Sequence, residues 1–215
     1  MIYHNISQEQ LVALVTQAVQ AELQKRSRQV PVGISVRHIH LTRADVDKLF
    51  GYGYQLTPKK ALSQPGQFAC EECLDVIGPK GELKRVRILG PERSATQVEI
   101  AFTDSFALGI RPPVRMSGKT AGTPGCKLIG PAGSVELAEG VSVAARHLHL
   151  SAQQAALFGL KDGQVVRLRS EGDRAVVFEN VIVRAGNGHD MEVHIDTDEA
   201  NAVAMSGSVM MEVLK

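Results

Sequence analysis

The pattern of apolar and polar residues divides the chain into one amphipathic helix and a long series of short strands. Over residues 6–26, one helix face carries apolar residues at the spacing i, i+3, i+4, i+7, i+8, namely Leu11, Leu14, Val15, Ala18 and Val19. Ser7 stands three positions before Gln10, which is typical of a capping box. We therefore predict an appended helix and linker over residues 1–27. Two alternatives stay open: the helix packs on its own core or in a dimer, or it docks in a partner's groove.

After Pro31 the pattern changes to short apolar runs that are interrupted by glycine and proline. The clearest runs are residues 74–77, 86–89 and 165–168, and each is followed by a turn sequence rich in glycine. Such runs predict strands joined by turns. Together they indicate a mainly β protein with short helices, of the barrel or sandwich kind.

Composition restricts the setting and the partners. The chain has 215 residues, 44% hydrophobic and 22% charged, with a net charge of +1. A nucleic-acid partner is not expected without a basic excess. No run approaches the roughly 18 apolar residues of a membrane span, and no signal peptide is visible, so we expect no membrane partner. The three cysteines, Cys70, Cys73 and Cys126, form no disulfide framework and favour a reducing cytosolic setting.

An internal repeat is the most informative feature of the sequence. Residues 36–42 (VRHIHLT) match residues 145–151 (ARHLHLS), and Leu-Phe-Gly follows each segment at a similar distance. Later, residues 98–100 (VEI) echo residues 193–195 (VHI). We infer two related halves, each beginning with a strand that carries two histidines.

Each His-x-His segment places two imidazoles on one side of a strand. His38 and His40 continue the alternating row of Val32, Ile34 and Val36, which predicts a core-facing row that ends in two histidines. His147 and His149 continue a similar row. Each pair could be a hydrogen-bonded structural pair, but two copies at equivalent positions favour metal binding, because imidazole is a common ligand of zinc and related metals.

The repeat also predicts a third ligand for each pair. Glu99 aligns with His194, which gives two candidate metal sites: His38, His40 and Glu99, and His147, His149 and His194. Three protein ligands leave one position open, as in catalytic zinc sites. His4 and His189 lie outside the pattern, and no function is expected of them.

Other residues are suited to an anionic substrate. Arg93 follows a turn six residues before Glu99, and a guanidinium can hold phosphate through two hydrogen bonds. Residues 115–125, which include Ser117, combine glycines, hydroxyls and cations that could form an anion nest. Neither a Walker A sequence nor a Gly-x-Gly-x-x-Gly fingerprint follows a strand, so a nucleotide fold of either kind is not expected.

From about Pro31 onward the chain resembles the PduL-type phosphate acyltransferases, the phosphate propanoyltransferases of bacterial microcompartments. The resemblance rests on separate segments that occur in the same order: RHIHL at 37–41, GPER at 90–93, QVEI at 97–100, RMSG at 115–118, RHLH at 146–149 and HIDTDEAN at 194–201. It implies interconversion of a short-chain acyl-CoA, propanoyl-CoA or acetyl-CoA, and phosphate with acyl phosphate and coenzyme A.

The resemblance implies a fold, a cofactor and site residues. It implies two small β-barrels, one of residues 28–36 with 145–215 and one of residues 37–144. It implies two divalent metal ions, usually Zn²⁺ in the family, on the six ligands above. Arg93 is the expected catalytic residue that holds phosphate, and the expected substrate-binding residues are Ser35, Lys60, Arg87, Ser117 and Asn201. It also implies a homo-oligomer inside a bacterial microcompartment, with the N-terminal helix bound to shell or core proteins.

Two alternatives differ in class from this enzyme. A cupin-like metal enzyme also carries His-x-His on a barrel strand, but it would need a glutamate soon after the pair. Residues 44–45 (AD) and 153–154 (QQ) stand there instead. A non-catalytic scaffold stabilised by zinc would need closed four-ligand sites, whereas the sequence offers three ligands twice.

Overall fold

The computed structural model describes residues 7–26 and 28–214, and the side chains of 7–20 and 28–214. Its first element, α1 (Gln8–Arg26), begins at the predicted capping box, where Ser7 and Gln10 exchange hydrogen bonds of 3.0 and 3.2 Å. Residue 6, the predicted start, lies outside the described residues. The apolar face over 7–20 does not pack on the protein's own core, because Leu11, Leu14, Val15 and Val19 are each 52–54% exposed.

The rest of the chain alternates short strands with short helices. Up to residue 115 the elements are β1 (Gln29–Ser35), β2 (His38–His40), α2 (Arg43–Phe50), β3 (Pro58–Ala61), β4 (Phe68–Ile77), β5 (Glu82–Gly90), β6 (Gln97–Glu99), α3 (Phe102–Leu108) and β7 (Val114–Arg115). They continue with β8 (Cys126–Ile129), β9 (Ser134–Leu137), β10 (Val141–Ala144), β11 (His147–Leu150), α4 (Ala152–Phe158), β12 (Val165–Arg169), β13 (Val177–Ala185), β14 (Glu192–Asp196), α5 (Thr197–Ala202) and β15 (Met210–Leu214). The strands predicted at 74–77, 86–89 and 165–168 are confirmed within β4, β5 and β12. Among the described helices, none combines the length and apolarity that a membrane crossing requires.

The strands form two units, each with its own hydrophobic core. Strands β1, β14, β11, β13, β12 and β15 close into a six-stranded barrel. The other nine form one open sheet in the order β7-β10-β6-β2-β5-β4-β8-β9, with β3 added beside β4. Separate clusters of buried residues fill the two units. The predicted fold, mainly β with two barrel-like units, is confirmed, although one unit is an open sheet. The division into 28–36 with 145–215 and 37–144 as independent domains stays a prediction.

The two halves exchange their first strands. β1 lies parallel to β14, in the unit of the second half, while β10 lies parallel to β6, in the unit of the first. The chain leaves the barrel after Ser35 through a tight turn, in which the Val36 amide donates to the Ile34 carbonyl oxygen at 3.1 Å. The predicted core-facing row is therefore wrong: Ile34 and Val36 are 41% and 57% exposed. Period-two alternation cannot show that β1 and β2 belong to different sheets.

The N-termini of the short helices are capped by side chains, in one case by a side chain from the other half. α4 begins at a capping box of Ser151 and Gln154, and the Asp196 carboxylate accepts from the backbone amide of Glu199 at the start of α5. α3 has alanine at its N-cap, so its own cap has no side-chain oxygen. Asp198 from α5 replaces it by accepting from the Thr103 amide at 2.8 Å and from the Thr103 hydroxyl at 2.6 Å. The other half thus caps this helix.

Candidate functional site

The first predicted ligand set is brought together in the centre of the open sheet. β2 lies between β5 and β6, and the antiparallel register places His38 directly opposite Glu99. His38, His40 and Glu99 are buried, and each offers a ligand atom within 4.8 Å of the others. His38 Nε2 lies 3.4 Å from Glu99 Oε2. The geometry thus gathers two imidazoles and a carboxylate around one point.

The second set occupies the equivalent position in the barrel. β11 lies between β13 and β14, and His147 stands directly opposite His194. The ligand atoms of His147, His149 and His194 also lie within 4.8 Å of one another, and the ring centroids are 4.7–5.0 Å apart. Strand register therefore pairs Glu99 and His194 with equivalent partners, as the repeat alignment predicts.

Main-chain carbonyls fix the tautomer of three of these histidines. Nδ1 of His38, His40 and His147 lies 2.8, 3.2 and 2.8 Å from the carbonyl oxygens of Val36, Leu89 and Ala145. A carbonyl oxygen can only accept, so Nδ1 carries the hydrogen and Nε2 keeps its lone pair. A lone pair on Nε2 is the form of histidine that binds a metal.

Burial favours the neutral form of His40, His147 and His149. It lowers the pKa of His40 to about 2, with the neighbouring His38 and Arg93 as further causes. Burial likewise lowers the pKa of His147 to about 4, assisted by His194, and of His149 to about 2, assisted by His147 and His194. Imidazoles and a carboxylate, three ligand groups in each cluster, match the donors that Zn²⁺ takes. Both sets of residues therefore fit a divalent cation.

The residues two positions before Glu99 and His194 were not predicted, and both contact the third ligand. The buried Gln97 donates from Nε2 to Glu99 Oε1 at 2.8 Å, and its Oε1 accepts from the Gly118 amide at 2.7 Å. Glu192 lies in the equivalent register position, with Oε2 2.6 Å from His194 Nε2. Each third ligand is thus oriented by a polar neighbour on its own strand.

A second repeated contact surrounds the clusters. Arg37, which precedes His38, forms an ion pair of 3.0 Å with Asp104 on α3. Arg146, which precedes His147, pairs with Glu199 on α5. Each acid lies five residues after the third ligand of its half. The arginine of the Arg-His-x-His motif therefore ties each histidine strand to the helix after the ligand strand.

Both clusters line one cavity of about 520 Å³ that contains residues of both units. Its ionisable lining includes more cations than acids: Arg37, Lys60, Arg87, Arg93 and Arg184 against Glu99 and Glu192. This excess favours an anionic occupant.

The positive charges of Arg93 and Arg184 act on the clusters: Arg93 contributes to the lowered pKa of His40, and Arg184 to that of His147 and His149. Arg93 donates from Nη1 to Ser117 Oγ at 2.9 Å. Burial lowers the pKa of Arg93, and the positive charge of Arg184 lowers it further, whereas the Glu99 carboxylate raises it. The charges of the two arginines therefore interact. Arg184 on β13 stands opposite His149. No sequence motif marks Arg184, because the β2–β5 register, continued by one residue, places Leu89 at the equivalent position beside His40.

The predicted substrate-binding residues divide into two groups. Ser35, Lys60, Arg87 and Ser117 line the cavity. Asn201 is exposed on α5 and is not among the lining residues, so the structure does not bring it into the site. Arg87 donates from Nη1 to the carbonyl oxygens of Cys70 and Glu71 at 2.9 and 2.8 Å, which fixes its guanidinium at the edge of β4.

The cysteines lie apart from this chemistry. Cys70 and Cys126 are buried, Cys73 is half-buried, and none of them lines the cavity. Burial raises the pKa of Cys70 and of Cys126 to about 12, so neither thiol is activated.

Comparison with known proteins agrees with the resemblance. The family described as phosphate propanoyltransferase matches residues 31–206. The chain is 45% identical to a phosphate propanoyltransferase of Thermotoga maritima over 195 residues, which is 90% of this chain and 93% of the relative. It is 49% identical to that of Salmonella typhimurium over 178 residues, 82% of this chain and 84% of the relative. It is 45% identical to that of Enterococcus faecalis over 202 residues, 94% of this chain and 96% of the relative.

Proposed function

Because the chain belongs to the phosphate propanoyltransferase family, and is therefore an acyltransferase, we propose that it moves a propanoyl or acetyl group between coenzyme A and phosphate at a two-metal centre. The observation that carries this proposal is the pair of equivalent three-ligand clusters that open onto one cationic cavity. The cupin-like enzyme and the non-catalytic scaffold lose their support, because the family is one of acyltransferases.

The metal ligands would be His38, His40 and Glu99 in one cluster and His147, His149 and His194 in the other. A bound divalent cation supplies a Lewis acid that polarises a carbonyl or stabilises a thiolate, and three protein ligands leave a position open for this. Gln97 would hold the Glu99 carboxylate in a fixed orientation through its 2.8 Å hydrogen bond.

Arg93 would hold the attacking phosphate. Phosphate is a weak nucleophile toward a thioester, so its orientation and charge must be controlled. The Arg93 guanidinium is partly fixed by Ser117, which leaves its other N–H groups to bind phosphate oxygens. Arg184 adds a second positive charge on the same cavity wall as His149. Lys60 and Arg87 add charge suited to the phosphates of coenzyme A.

We propose direct attack of phosphate on the acyl carbonyl, without an acyl-enzyme intermediate. Covalent catalysis needs a nucleophile beside a base. The Ser117 hydroxyl lies between Gln97 and Arg93, at 2.6 and 2.9 Å, and neither of these is a base. Ser63 donates to the Glu192 carboxylate, but the same carboxylate oxygen is already engaged by the proposed metal ligand His194. No cysteine lines the cavity. The bond from the carbonyl carbon to phosphate oxygen would form as the bond to sulfur breaks, and coenzyme A would leave as a thiolate.

An assay of coenzyme A release tests the activity. Purified protein is given propanoyl-CoA or acetyl-CoA with and without phosphate, and free thiol is measured. We expect release that depends on phosphate and produces an equal amount of acyl phosphate. Thiol release at the same rate without phosphate would identify a hydrolase and refute the proposal. Metal analysis of the same sample, purified without chelator, tests the two-metal centre separately.

The N-terminal helix is proposed to be a docking segment that places the enzyme in a bacterial microcompartment. The support is that its apolar face over residues 7–20 is exposed, and that none of these residues lines the cavity. Co-purification of the full chain and of a chain lacking 1–26 with microcompartment shell or core proteins tests this.

A homo-oligomer is also proposed. The support is the 82% exposure of Phe106, a large apolar side chain on α3. Light scattering of the purified protein tests the oligomeric state.

A further inference from the structure

His149 differs from His38, His40 and His147 in the partner of its Nδ1 atom. Those three histidines donate to main-chain carbonyls, whereas Nδ1 of His149 lies 3.0 Å from Nδ1 of another side chain, His189. The two rings are 4.7 Å apart between centroids and inclined by 37°. If Nε2 of His149 faces the cluster, its Nδ1 must carry the hydrogen and donate it to His189.

His189 lies in the connection between β13 and β14, and this connection is anchored from two sides. The buried Gln64, on the loop after β3, donates from Nε2 to the Asp190 carbonyl oxygen at 3.1 Å and accepts from the Asp190 amide at 3.4 Å. Gln154 of α4 donates to Asp190 Oδ1 at 3.1 Å, and that oxygen also accepts from the Met191 amide at 2.8 Å. The residue after His189 is therefore fixed by both units.

We propose that His189 is a positioning residue that sets the tautomer and ring orientation of His149 in the second cluster. The inference rests on the proposed metal centre and extends it by one residue. Nδ1 of His189 accepts the hydrogen, so its own hydrogen lies on Nε2. A side-chain acceptor on the far nitrogen fixes a ligand histidine and makes its free nitrogen a stronger donor, which commonly changes metal affinity by about 10- to 100-fold.

The equivalent histidine of the first half has a different kind of partner in the described structure. There His40, the residue equivalent to His149, donates to the Leu89 carbonyl of the neighbouring strand, which is part of the sheet itself. The second cluster depends instead on a side chain from a loop held by Gln64 and Gln154. Loss of the His189 ring should therefore affect one of the two metal ions and leave the other in place.

Zinc affinity measured by competition with a chromophoric chelator tests the proposal on the full chain. We expect wild type to retain two ions and His189→Ala to bind one of them about 10- to 100-fold more weakly. His189→Asn places an amide oxygen near the position of Nδ1 and should restore most of that affinity. His189→Gln, whose amide corresponds to the position of Nε2, should restore less. Asn187→Ala, an exposed change in the same loop, is the matched control and should bind as wild type does.

Different results contradict different parts. Wild type without tightly bound zinc would remove the proposed metal centre, and this inference with it. Two ions of unchanged affinity in His189→Ala would overturn the positioning role alone and leave the metal centre intact. An Asn variant no better than the Ala variant would also overturn it, because a hydrogen-bond acceptor at that position would then have no effect. Far-ultraviolet circular dichroism of each variant confirms that the comparison is between folded proteins.

Discussion

Replacement of Arg93 tests the proposed phosphate site most directly. Arg93→Ala removes a guanidinium that is half-buried and hydrogen-bonded to Ser117. Its charge also interacts with those of Glu99 and Arg184. Loss of one such transition-state contact typically lowers the rate by about 10²- to 10³-fold, which corresponds to about 2.7–4 kcal/mol. Arg93→Lys keeps the charge, but one ammonium cannot replace the planar fork that contacts both Ser117 and phosphate. We expect the rate of acyl transfer in Arg93→Lys to fall at least about tenfold.

Steady-state kinetics with phosphate as the varied substrate measures the loss. Metal content should match wild type, because Arg93 is not a proposed ligand, and this separates a substrate contact from a disturbed metal centre. Arg111→Lys, at an exposed position, is the matched control. If Arg93 were only a surface charge, its loss would change the free energy of unfolding by at most about 0.5 kcal/mol. Wild-type phosphate kinetics in Arg93→Ala would refute its catalytic role.

Three further predictions concern the metals, the helix and the contact between units. Dialysis against a chelator should abolish acyl transfer, and added zinc should restore it, whereas His149→Ala should lose both metal and activity; full activity in metal-free protein would contradict the two-metal mechanism. Deletion of residues 1–26 should leave kcat unchanged, and a folded truncation without turnover would show that the helix belongs to the active enzyme. Asp198→Ala removes the cap of α3 and should lower the free energy of unfolding by about 0.5–2 kcal/mol in urea titrations, while Asp173→Ala, at an exposed turn, should not.

The sequence predicted the central pairing of the site because strand pairing is a geometric consequence of the repeat. Two segments that repeat in the same order fold into equivalent strands, so Glu99 and His194 lie opposite His38 and His147. The periodicity of α1 and the turn residues around β4, β5 and β12 were equally informative. In each of these, a local rule determines the result.

Other features depend on tertiary contacts that no local pattern contains. Gln97 and Glu192 have no motif, and Arg184 has a leucine as its counterpart, so only the folded sheets show their place in the site. His189 lies outside the repeat, so the sequence indicates no role for it, yet its loop turns back onto His149. The row through Ile34 and Val36 was wrong for the same reason, because alternation identifies a face without identifying the sheet.

The exchange of first strands has a consequence for how such a protein can have arisen. A chain that carried only one half would have β1 or β10 without its partner strand, so two copies would have to associate and complete each other. Such a symmetric pair would have two identical clusters around a shared cavity. Fusion into one chain releases that symmetry and allows each cluster to evolve separately. The first half has a carboxylate, Glu99, at the position where the second half has an imidazole, His194, and two identical copies of one half could not show that difference.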